Sequence, residues 1–255
     1  LYILLPLSCL LAVFFVSQGS IQNVRPYQSI QPLQSLSTLG STPQPFNFSP
    51  APENAEKLNT DTFNLIPMGP VASQVAIKVL GTNGGGFFNT NAAHPFENPT
   101  PLTSFVQLIA LLLIPAALCI TFGVLINDRR QGWALLVTML LLLIPAVVLT
   151  AMAEHQTNPL ITGLPLTETV NIEGKETRLG ITHSAVWAAF TTATSNGSVN
   201  AMMGAFMPLG GFIPLLLMHL GEVTVGSFGS GLAGMIIMVI IAGFLVGLLV
   251  GRSQD

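Results

Sequence analysis

Apolar residues along this chain come in unbroken runs rather than at alternating or helical spacings. Residues 105–126 and 133–153 are each long enough, as helices rising 1.5 Å per residue, to cross a hydrocarbon layer of about 30 Å. Residues 1–16 form a shorter run that reads as a membrane helix entered part-way. With no basic leader and no small-residue cleavage pattern, it is not expected to be a signal peptide. Residues 209–250 are too long for one straight span. Their middle, GEVTVGSFGSGLAG, carries five glycines from Gly221 to Gly234, which predicts a break or hairpin within the membrane.

Two polar stretches separate these runs. Residues 18–68 are rich in Pro, Ser, Gln and Asn and poor in aliphatics, which predicts an extended, loosely structured loop. Residues 154–180 contain NIEGKETRLG, which predicts a short hairpin with Gly174 in its turn. Arg129 and Arg130 in the short NDRRQG connection, and Arg252 after the last span, mark the cytoplasmic side, so both long connections lie outside. That topology requires the segment between the first two spans to return outward. MGPVASQVAIKVL (68–80) supplies about half a membrane's worth of helix and leads into GTNGGGFFN, so the pair is read as a re-entrant loop, a half-helix down and an extended limb back.

Composition fixes the solvent. Half of the 255 residues are hydrophobic and 7% are charged, so the class is an all-α polytopic membrane protein whose main partner is the lipid bilayer. A net charge of −3 spread over loops has nothing with which to hold nucleic acid. Cys9 and Cys119 lie inside apolar runs as small hydrophobes, and the four histidines are scattered without ligand spacing. There is no Walker loop and no phosphorylated-aspartate motif, so the chain has no catalytic residues for ATP hydrolysis.

The unit repeats. Thr82-Asn83-Gly84-Gly85 aligns with Ser195-Asn196-Gly197-Ser198, each after a short apolar, helix-competent run. Each copy has an outward-going span with a Pro before it and a long apolar segment behind it. The units are residues 1–132, with loop 18–68 and pore helix and filter 69–90, and residues 133–255, with loop 154–180, pore helix and filter 181–200 and a broken last helix 209–251. Glycine lets consecutive carbonyls point the same way, and a ring of carbonyl oxygens can replace the water shell of a weakly hydrated cation. The half-helix aims its partly negative C-terminal end at the same place. Two other readings stay open at this point. The glycines could form a structural turn in a helix-packing protein, or cradle a phosphate in a membrane enzyme, although no Lys or Ser/Thr follows at nucleotide-loop spacing.

IPMGPVASQVAIKVLGTNGGGFFNTNAAHPFENPT, LIPAALCITFG, DRRQGWALL, NIEGKETRLG, TTATSNGSVNAM and GEVTVGSFGSGLAGM resemble the KdpA family over essentially the whole chain. That family comprises the channel-like, potassium-binding subunits of bacterial potassium-importing P-type ATPases. The resemblance implies membrane-pore-membrane repeats of the potassium-channel-like transporter superfamily, with the second and third of four repeats present here. It implies potassium as the bound ion, at a filter to which Thr82, Asn83, Gly84, Gly85 and Gly86, and Thr194, Ser195, Asn196, Gly197 and Ser198, contribute two of four loops. Gly84 and Gly197 fall on the family's filter glycines, whereas Asn196 stands where well-known members have Cys. It further implies a P-type ATP-hydrolysing subunit and small accessory membrane subunits as partners, in the bacterial cytoplasmic (inner) membrane.

Four further features have competing readings. Glu222, an acid inside the glycine-rich break, is either on the ion pathway or bonded to freed backbone amides. Lys78 on the pore helix would oppose a cation unless neutralised, and is read as a tether. Gly243, Gly247 and Gly251 are read as a helix-packing face rather than a moving hinge, and His94 as a loop cap rather than a functional switch.

Overall fold

A computed structural model of the chain describes residues 1–30, 64–157, 171–221, 224–226 and 228–250. It divides into two compact units, residues 22–70 and all the rest. In the small unit, β1 (Gln28–Ile30) pairs antiparallel with β2 (Asn64–Ile66), Ser29 opposite Leu65. The expectation of a loosely structured stretch is thereby corrected at its two ends. A backbone bond from Asn23 N–H to the Gly69 carbonyl, 3.1 Å, continues the pairing.

The large unit is helical. α1 (Leu4–Ser17) is followed by the short α2 (Val71–Leu80), then by α3 (Pro101–Leu125) and α4 (Arg129–Glu154). α5 (Gly180–Ala193), α6 (Pro208–His219) and α7 (Gly234–Leu249) complete it. The order helix, short helix, irregular loop, helix occurs twice, as α1–α2–α3 and α4–α5–α6, although α1 and α6, with 14 and 12 residues, are no longer than α5 with 14. Three helices, Pro101–Leu125, Arg129–Glu154 and Gly231–Leu249, are long and apolar enough to cross a membrane. With 10 residues, α2 spans only about 15 Å, half of a hydrocarbon layer.

Local sequence explains the ends of these helices. α3 starts at Pro101, with Thr100 accepting from Thr103 N–H and Thr103 returning the bond to Thr100 N–H. Asp128 caps α4 by accepting from Arg130 N–H at 2.9 Å, and Asn127 turns the corner with φ +56°. Gly132 lets α3 and α4 close on each other there: a Cβ on it would lie 2.6 Å from the Cys119 carbonyl. The long apolar region breaks after His219 and resumes through a π-helical turn, Phe228–Ala233, into α7, as the glycines predict.

Packing centres on the two short helices. α5 is nearly enclosed, with Trp187, Ala188, Ala189 and Ala193 buried, and it meets α4 and α6 around Met139, Leu143 and Leu217. Its Ser184 and Thr192 hydroxyls donate to the carbonyls of Gly180 and Ala188, so a buried helix keeps its polar side chains satisfied. α2 packs on α1 through Phe15, Val71, Ala72, Val75 and Ala76, and toward α3 and α5 through Val79, Leu80, Leu111 and Trp187. The outer faces of α3 and α4 carry Phe105, Ile109, Leu141, Ile144 and Val148 exposed, which is how a lipid-facing surface reads.

Two expectations change. Around Gly174 (φ +66°) there is a turn, closed by Lys175 N–H to the Ile172 carbonyl, but no hairpin among the described residues: Lys175 forms a bridge with Ala201 instead. The chain needs the following residues for the start of α5, so they are not free to form a second strand. Gly243 and Gly247 pack against no helix among the described residues, since a Cβ on either would meet nothing within 4 Å, and Gly251 lies outside the described residues.

Candidate ion-binding site

Each short helix ends in a loop with the same backbone pattern. After α2, φ is positive at Thr82 (+49°), negative at Asn83 and positive at Gly84 (+62°). After α5 it is positive at Ser195 (+55°), negative at Asn196 and positive at Gly197 (+79°). Thr82 and Ser195 are among only four non-glycine residues with positive φ in the described chain, and they occupy aligned positions. Successive carbonyls of an extended strand point to opposite sides; alternating the sign of φ brings them toward the same side. Both loops therefore have a backbone on which a row of carbonyl oxygens can converge.

The two loops meet. A Cβ built on Gly84 would lie 2.0 Å from the Asn196 carbonyl oxygen, so this position accepts only glycine on grounds of space as well as φ. The Asn196 amide donates to the Lys78 carbonyl at 2.7 Å, and its Oδ1 accepts from Ser198 N–H at 3.0 Å. Both ends of that side chain are thus committed to joining the loops. The Ser198 carbonyl accepts from Trp187 Nε1 at 3.0 Å and from Thr191 Oγ1 at 2.6 Å, which uses both of its lone pairs and turns it into the scaffold. Gly197 and Gly85 are exposed, and a Cβ on either would meet nothing within 4 Å, so only backbone conformation selects glycine there.

A buried ion pair holds the limb that follows each loop. Lys78 pairs with Glu97, both almost wholly excluded from solvent, and Glu97 Oε1 accepts from Phe88 N–H at 3.1 Å. Gly86 presses on the same carboxylate, where a Cβ would come within 2.3 Å of Oε1. In the other half, Lys175 Nζ lies 2.8 Å from Glu154 Oε2, as an ion pair off the line of a directed hydrogen bond. Asn171 Nδ2 donates to the same oxygen at 2.9 Å, and Glu154 Oε1 accepts from Met207 N–H at 2.8 Å. Lys78 is therefore neutralised and tethered.

Outside the spans, Arg178 gathers the returning limb. Its guanidinium donates to the carbonyls of Ala93 (3.0 Å), Asn98 (3.2 Å) and Pro99 (3.3 Å) and to Glu176 Oε1 (3.1 Å). His94 stacks on Phe88 with centroids 3.9 Å apart, and its Nδ1 accepts from Phe96 N–H at 3.2 Å. Burial holds its pKa below the ordinary 6.5; Glu97 acts against that shift and Arg178 adds to it. His94 is a loop cap built from ring stacking and one accepted hydrogen bond.

The structure thus brings Thr82–Gly86 and 194–198 together at one place. Glu222 lies outside the described residues. Sequence reasoning missed Glu97, Glu154 and Arg178. Nothing local marks the two acids: Glu97 stands in the polar stretch HPFENPT, 19 residues from Lys78, and Glu154 stands at the polar end of an apolar run, far from Lys175.

The pattern that defines the family described as "Potassium-transporting ATPase A subunit" matches residues 1–255. Proteins called "Potassium-transporting ATPase potassium-binding subunit" are similar to the whole chain. Those of Herpetosiphon aurantiacus and Sorangium cellulosum are 49% and 51% identical over 262 residues, each covered to 42% of its own length. That of Erwinia tasmaniensis is 50% identical over 255 residues and covered to 41%. The chain therefore spans about two-fifths of the length of the relatives it matches.

Proposed function

The chain belongs to the family of potassium-transporting ATPase A subunits, and from that premise we propose that it supplies two loops of a potassium-selective filter. The relatives' name, potassium-binding subunit, agrees with what the two loops can do chemically. The observation that carries the reading is the shared positive, negative, positive φ pattern at Thr82-Asn83-Gly84 and Ser195-Asn196-Gly197, in loops that touch each other.

In this reading potassium is cargo, held by backbone carbonyls of Thr82–Gly85 and 194–197, with Gly84 and Gly197 at the centre of each loop. Asn196 and Ser198 serve mainly as scaffold, because their side-chain amide and carbonyl, respectively, are occupied. The C-terminal ends of α2 and α5 add negative potential at the loops. Two loops cannot surround an ion, so the ring needs loops from the remaining length of the subunit. Residues 1–132 and 133–255 act as the second and third of four membrane-pore-membrane repeats in the bacterial inner membrane. A P-type ATP-hydrolysing subunit, with small accessory membrane subunits, supplies the work.

The test is equilibrium binding of potassium, rubidium and sodium to the full-length subunit in its assembled complex. Saturable binding that prefers potassium supports the filter; absence of saturable binding leaves only a helix-packing role. Glu222→Gln is expected to slow transport more than it weakens external binding, and a pure loss of expression would point to a structural carboxylate.

A further inference from the structure

The two buried lysine–glutamate pairs are built alike although their residues do not align. In each, one carboxylate oxygen faces a lysine ammonium and the other accepts a backbone N–H from the limb that follows the filter loop. Glu97 holds Lys78 and Phe88 N–H; Glu154 holds Lys175 and Met207 N–H. In each, a glycine is pressed against the carboxylate. A Cβ would come within 2.3 Å of Glu97 Oε1 at Gly86 and within 1.9 Å of Glu154 Oε1 at Gly210. All four charged side chains are buried.

A buried pair of this kind adds little to stability compared with apolar residues of the same volume, so its repetition calls for another explanation. Charge and position supply one. Lys78 stands four residues before Thr82, and its carbonyl receives the Asn196 amide that joins the two loops. An uncompensated ammonium there would repel a cation from the filter. Glu97 cancels that charge and, through Phe88 N–H, fixes where the outgoing limb leaves Gly86.

We propose that Glu97 with Lys78, and Glu154 with Lys175, are clamps that set the position and the potential of the filter loops, and that Glu97 is a positioning residue for ion selection. This rests on the filter reading above.

The experiment compares Glu97→Gln, the paired variant Lys78→Met/Glu97→Gln, and Gly84→Ser, each in the full-length subunit within its complex. The readouts are the amount of assembled complex, potassium affinity and the potassium-to-rubidium binding ratio. Glu97→Gln leaves an unpaired ammonium and loosens the limb, so potassium affinity should fall about tenfold and the ratio should move toward one. The paired variant restores neutrality but not the charged acceptor, so affinity should recover in part while the ratio stays low. A purely structural pair would change the amount of complex and leave both binding readouts at the parent values in whatever assembles. Parent affinity and ratio in Glu97→Gln, or in the paired variant if only that assembles, would overturn the clamp; so would failure of both to assemble, which makes the pair a folding element. If Gly84→Ser also binds as the parent does, the filter reading fails; if Gly84→Ser loses selectivity while the Glu97 variants keep it, only the clamp fails.

Discussion

Gly84 and Gly197 hold aligned places in their loops, yet the chain around them constrains them differently. Gly84 is fixed by φ and by the Asn196 carbonyl, whereas Gly197 is fixed by φ alone. Alanine at Gly197 should cost about 1–2 kcal/mol for left-handed backbone, and alanine at Gly84 should cost a further 1–3 kcal/mol or so for forcing the loops apart. Thermal unfolding of the two variants in detergent checks that order. His94 makes a pH prediction. Its folded pKa lies below 6.5, so protonation favours the unfolded chain. Stability is full above 6.5 and falls as pH drops from there through the lowered value. Unfolding followed between about pH 7.5 and about pH 5 should show that loss, and His94→Asn should flatten it. The glycines were legible in the sequence because a backbone demand is local. Glu97 and the amide role of Asn196 were not, because each is defined by a partner far along the chain, 118 residues away for Asn196 and Lys78.

Element lengths were legible for the same reason that glycines were: hydrophobic run length sets what can span. Both short helices, the long spans and the break after His219 appear where apolar runs and glycines place them. The hairpin expected around Gly174 is absent among the described residues, because residues 176–180 turn into the entry of α5 and the bridge from Lys175 goes to Ala201, a long-range pairing. Helix contacts were not legible either, since runs that are apolar on every side carry no stripe to mark the packed face. The α3–α4 hairpin shows what the face requires. Gly132 lies where a Cβ would be 2.6 Å from the Cys119 carbonyl, so Gly132→Leu should separate the two helices and lower stability by about 2 kcal/mol or more. Reduced yield of folded protein, with unchanged potassium-to-rubidium ratio in what folds, is the expected outcome, because the atoms nearest a Cβ at Gly132 belong to Cys119 and Gly123 and not to the filter loops.

At the scale of the whole molecule, two similar halves place two like-shaped loops against each other, in a chain that belongs to the family of potassium-transporting ATPase A subunits. The polar outer segments, including Arg178 on the carbonyls of residues 93–99, hold the returning limb, and the apolar faces of α3, α4 and α7 are left for lipid or for further helices. The central claim is that backbone carbonyls at these loops select potassium. Gly197→Ser tests it most directly, since a side chain there meets open space and perturbs the exposed loop without pushing on the scaffold. In the full-length complex, the account predicts normal assembly with potassium preference over sodium reduced by about tenfold or more. Unchanged preference in a normally assembled complex would contradict it.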